Sequence, residues 1–153
     1  MNEKIQEHKF SLIQEIFYLY MKNIEQEKRT FVRVFGSLNQ VFQLNTLYYN
    51  QDDDFNKIQT LNKIKNKLNN FIDNELVFGL LEYKGYYLLV NLEILLKSNN
   101  FITGKRYFFL GEIISLNDIL LMIPTTFLNC EDDLDLFIYE KTLDLMKNKI
   151  YNS

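Results

Sequence analysis

Alanine is missing from this sequence altogether, and cysteine, proline and histidine occur once each, as Cys130, Pro124 and His8. A lone cysteine cannot close an internal disulfide, which implies a reducing compartment and a cytoplasmic location. One histidine and one cysteine make neither a zinc set nor a nucleophile pair without a third group. His8 falls in the polar opening MNEKIQEHKF, which also lacks the apolar core of a secretory signal. No uncharged apolar run is long enough to cross a bilayer, so no membrane partner is expected. Positive charge is not in excess either: the formal net charge is −3, which gives no global attraction to nucleic acid. Linkers rich in Gly, Ser or Pro are absent, as are internal repeats and sustained heptads.

What is present is a chain of 153 residues, 47% hydrophobic and 15% aromatic, enough to bury a core without metal or disulfide support. Heavy use of Asn, Lys, Ile, Tyr and Phe without alanine fits an AT-rich genome, so NKLNNFIDNE is read as composition and not as a prion-like tract. Apolar residues at helical spacing, Phe10 to Ile24, predict a first helix over 9–27. RTFVRVF suits a short strand ended by Gly36, with Ser37 capping a second helix that runs to about Tyr49. The aspartates Asp52 to Asp54 precede a clean stripe, Phe55, Ile58, Leu61, Ile64, Leu68, Phe71 and Ile72, which predicts a third helix starting near Asp54. Lys57, Lys63, Lys65 and Lys67 on that helix form no single stripe and are expected on a solvated face. ELVFGLLEY and YYLLVNLEILLK are apolar almost all round, which predicts buried bundle helices. A last helix is expected over 132–150, with EDDLD supplying negative charge to its start and not a calcium loop.

GEIISLNDILL carries the most specific local signal. Ser115 and Asp118 have the spacing of a capping box, Ser115 accepting from the amide of Asp118 while the Asp118 carboxylate reaches back. Ile114 and Ile119 are placed to close a hydrophobic staple across the same helix start.

YFFLGEIISLNDILL resembles the carboxy-terminal helical domain of the glutathione transferase superfamily, through Tyr107 to Leu110, Gly111, Ser115 and Asp118, with Asn117 where that family has Ala. The resemblance implies a mainly α, degenerate transferase-like fold: a reduced thioredoxin-like lobe over 1–50 and a helical domain over 51–153. The cis-proline of a working glutathione site is absent, because Pro124 lies beyond the capped stretch. No catalytic, cofactor-binding or metal-binding residue is therefore assigned. The resemblance implies a non-catalytic interaction module that assembles a multi-aminoacyl-tRNA synthetase complex, such as the appended domain of a glutamyl- or methionyl-tRNA synthetase. Its expected partners are like domains, in a hetero- or homodimer, with tRNA met only indirectly. The alternatives are a glutathione-binding protein or transferase, and an elongation factor 1 subunit domain. Two surfaces are implied: Asn39, Gln43 and Tyr48 on one, and Phe137, Tyr139, Lys141 and Thr142 on the other.

Overall fold

The computed structural model describes residues 9–13, 16–17, 30–69, 72–130, 138, 140–142 and 145. Its elements, in order, are β1 (Lys9–Ser11), β2 (Thr30–Gln43), α1 (Phe55–Leu68), β3 (Val77–Tyr83), β4 (Tyr86–Asn91), β5 (Arg106–Leu116) and β6 (Ile119–Cys130), with 3-10 turns at Leu44–Thr46 and Leu95–Lys97. The mainly α, transferase-like fold is overturned: six strands form one sheet in the order β1-β2-β3-β4-β6-β5.

An additional β2–β5 pairing closes β2, β3, β4, β6 and β5 into a five-stranded barrel. The long strand β2 makes closure possible. Its second half, from Ser37 to Gln43, pairs antiparallel with β3, and its first half, from Thr30 to Ser37, pairs antiparallel with β5. Barrels require such strongly coiled strands. Gly36 sits at the changeover, where a Cβ would stand 2.5 Å from the Leu81 side chain. The remaining seam is a parallel contact of Leu89 and Val90 with Leu121 and Met122. The boundary expected near residue 50 falls between β2 and α1, and β2 pairs with strands on its far side. Residues on either side therefore share one sheet.

Two hydrophobic clusters explain why strands looked like helices. Val32, Val34, Leu81, Leu88, Val90, Phe109, Leu120 and Met122 belong to the cluster that fills the barrel. Phe78, Leu80, Tyr87, Leu89, Ile119 and Leu121 belong to a second cluster with Leu61, Ile64 and Leu68 of α1. Successive residues of β4 and β6 thus bury alternately inward and outward. A strand buried on both faces reads as a continuous apolar run, which periodicity cannot separate from a buried helix.

The capping box is corrected in the same way. Ser115 lies in β5, and Asn117 and Asp118 form the two-residue turn of the β5–β6 hairpin, with φ of 49° and 66°. Positive φ at both central residues is the geometry that matches strand twist in tight hairpins, and Asn and Asp tolerate it better than most residues. Ile114 and Ile119 do share a cluster, but as strand residues beneath α1 and not as a helix staple. The segment expected to be a Ser37-capped helix is β2. Ile138, Glu140 to Thr142 and Leu145 are helical. Tyr83 donates its hydroxyl to the Glu140 carboxylate, and Lys84 stands 3.5 Å from the same group, tying that segment to the β3–β4 hairpin.

Candidate functional site

The helix α1 begins where the sequence places it, on Asp54. One Asp54 oxygen accepts from the Lys57 amide at 2.8 Å, the N-cap bond that satisfies an otherwise orphaned donor. The other accepts from the Tyr87 hydroxyl on β4. The Tyr87 hydrogen bond, then the Lys57 amide, hold the Asp54 carboxyl below its usual value. Burial, followed by the same bond, pushes the Tyr87 phenol well above its usual value. A single side chain therefore starts the helix and fixes it to the barrel.

Both hairpins of the barrel grip α1. Asn56 donates to the Gly85 carbonyl at 3.1 Å in the β3–β4 turn, and Asn117 donates to the Lys67 carbonyl at 2.8 Å from the β5–β6 turn. Leu61, Ile64 and Leu68 are fully or almost fully buried beneath. Burying each contributes on the order of 2 kcal/mol relative to exposure. The helix is thus part of the core and not a detachable flap.

At the flank of α1 a cleft of about 110 Å³ remains open between the helix, β4 and the β5–β6 turn. Phe17, Ile64, Leu89 and Ile119 give it an apolar floor, and Thr60, Lys63 and Asp118 stand on its rim. Lys57 pairs with Asp53 at 3.3 Å and Lys67 with Asp118 at 3.5 Å. Lys63 and Lys65 are exposed and have no ion pair among the described residues. Such an arrangement can stack or bury a small flat group and hold an anionic one at the rim. Among the described residues no cluster of three His, Cys, Asp or Glu side chains could hold a metal.

Of the surfaces implied by the family resemblance, Asn39, Gln43, Tyr48, Lys141 and Thr142 lie among the described residues. Asn39 lies at the bulge of β2, half-buried. The Gln43 amide nitrogen of the side chain donates to the Glu75 carbonyl at 2.8 Å, bracing the entry to β3. Tyr48 is 63% exposed, its carbonyl accepting from Gln40. Lys141 and Thr142 are exposed and helical, whereas Phe137 and Tyr139 lie outside the described residues. The cleft itself was passed over in sequence. Its signals were the Lys84-Gly85 and Asn117-Asp118 turns, which mark hairpins between apolar runs.

A closed barrel whose first strand pairs with the second and fourth, and whose third and fifth run parallel, defines the OB class, in which the face of the second and third strands and the adjoining loops bind oligonucleotides or oligosaccharides. No family model and no curated protein matches the chain. Among solved structures it is similar to the telomere capping protein Ten1 from Saccharomyces pombe, at 8% identity and a TM-score of 0.53, over 93% of this chain and 99% of that one. The S. pombe Stn1-Ten1 complex aligns at 13% identity and a TM-score of 0.47, over 79% of this chain and 73% of that one. At such identity the likeness is one of fold. It overturns the glutathione transferase resemblance, and with it the synthetase-scaffold role and the pairing with transferase-like domains, all of which required the helical fold. The glutathione and elongation-factor alternatives fall for the same reason. Among the described residues no helix is long and apolar enough to cross a membrane.

Proposed function

We propose that this chain is a chromosome-end capping protein of the Ten1 kind: a non-catalytic, single-barrel subunit that works in the nucleus as part of a larger assembly. The observation that carries the reading is the extent of the alignment, which takes in 93% of this chain and 99% of the telomere capping protein. Two features of the chain favour a subunit over a stand-alone nucleic-acid binder. The net charge of −3 leaves little for phosphates to bind. Of the outer barrel face by which OB domains take oligonucleotides, formed by β3 and β4, the β4 side is covered by α1, which also packs on β6. The cleft beside α1, with Lys63 on its rim, is what remains for a phosphate and one base.

Chromatin immunoprecipitation of the tagged full chain tests the proposal. Chromosome-end repeats should be enriched over internal loci by about tenfold or more, in line with the difference between specific and background association. Even recovery across the genome would remove the capping role.

A further inference from the structure

Among the described residues the exposed aromatic side chains are Tyr48, Tyr49, Phe55 and Tyr86. The fold gathers them. Tyr48 and Tyr49 lead into a turn in which the Asp53 amide donates to the Asn50 carbonyl at 3.1 Å and the Asn50 amide donates to the Asp53 carboxylate at 2.8 Å. Such a turn holds its two ends within about 7 Å, so Asp54 and Phe55 leave it alongside the tyrosines. Tyr86 is brought in by two bonds from the start of α1. Asp54, which precedes Phe55, accepts from Tyr87, and Asn56, which follows it, donates to the Gly85 carbonyl. The residues flanking Phe55 thus hold the residues flanking Tyr86. Phe55 is 70% exposed although the rest of its helix stripe is turned to the core.

Single exposed apolar residues are ordinary, whereas neighbouring ones mark interaction surfaces, where aromatic rings are enriched. Charge narrows the partner. From Val34 to Asn56 the sequence carries Asp52, Asp53 and Asp54 and no lysine or arginine. The nearest cations are engaged: Lys57 pairs with Asp53, and Lys84 with Glu140. Asp52 is exposed in the turn and has no ion pair among the described residues. After burial and the Asp54 bond, the charges of Asp54, Glu82 and Asp53 also raise the Tyr87 phenol, so negative potential converges on this end of the barrel. Phosphates are repelled there, although the rings alone would suit bases. A second copy would bring the same aspartates. A guanidinium satisfies both features, since its flat face stacks on an aromatic ring and its fork of donors matches a carboxylate.

We propose that Tyr48, Tyr49, Phe55 and Tyr86, with Asp52 in the turn between them, form a docking surface for an extended, arginine-bearing segment of a partner protein. The rings supply stacking area and the aspartate the choice of cation. The surface is separate from the cleft beside α1 and does not depend on the capping role.

The test follows the backbone amide resonances of the intact chain as a synthetic peptide of about nine residues, with arginine at every third position, is added. Shifts should centre on Tyr48 to Phe55 and on Tyr86. Lysine in place of each arginine should weaken binding by about fivefold or more, because an ammonium is a point charge without a stacking face, and glutamate should abolish it. Tyr48→Ser with Phe55→Ser should weaken the arginine peptide by about tenfold, and an unchanged thermal midpoint would show that the fold is intact. Asp52→Asn, at an exposed position without a partner, should weaken it by about threefold at low salt, with the difference shrinking at high salt. Shifts centred elsewhere, no shifts, or equal binding of the arginine and lysine peptides overturns the proposal. A single-stranded oligonucleotide that moves the same amides more tightly than the peptide also overturns it, as does self-association of the chain alone through these residues.

Discussion

Asp54 joins local and tertiary structure in one carboxylate. It caps α1 through the Lys57 amide and receives the Tyr87 hydroxyl from the barrel. Asp54→Ala should lower unfolding stability by about 1 kcal/mol near neutral pH, the typical worth of an N-cap. The pH dependence has a definite sign. Because the folded carboxyl is held below its ordinary 3.8, its contribution is complete above that value and is lost as pH falls through the depressed folded one. Urea midpoints of the two proteins should therefore differ at neutrality and converge in acid. A gap that persisted unchanged at the acid end would assign the loss to something other than this carboxylate. The cap was legible from DDDF before a hydrophobic stripe, but its bond to Tyr87 was not, since 33 residues separate the partners.

At the scale of elements, legibility followed the number of buried faces. The helix α1 buries one stripe, and its 3.6-residue period located it correctly from Asp54. The strand β5 alternates between half-buried and buried residues from Arg106 to Ile114, but Tyr107 to Leu110 are apolar on both faces, so the sequence itself carries no period of two. Ser115 and Asp118 mimicked a helix start because the box spacing also fits the last residues of a strand and a two-residue turn. A substitution separates the two arrangements. Asp118 has a φ of 66°, where glycine is easier, and its ion pair with Lys67 is 83% exposed on the Asp118 side and contributes little. Asp118→Gly should raise stability by about 0.5 kcal/mol as a hairpin residue. As a capping residue it would lower stability by about 1 kcal/mol. A denaturation midpoint that moved downward by that amount would contradict the hairpin.

For the whole molecule, the consequence of closure is cooperativity. The pairing of Thr30 to Ser37 with Arg106 to Ile113 joins the two ends of the barrel, and β3, β4 and β6 complete the ring. Calorimetry should show one transition whose calorimetric and van't Hoff enthalpies agree; two resolved transitions would restore a division near residue 50. By itself the sequence determined the apolar content for a core, the lack of an internal disulfide, and the start and cap of α1. Only the tertiary structure decided that β4 and β6 are strands, that the barrel closes, and that α1 packs on the outer side of β4 and β6. The reason is physical: a segment buried on both faces carries no period, and a strand pairing across some seventy residues leaves no mark within either partner.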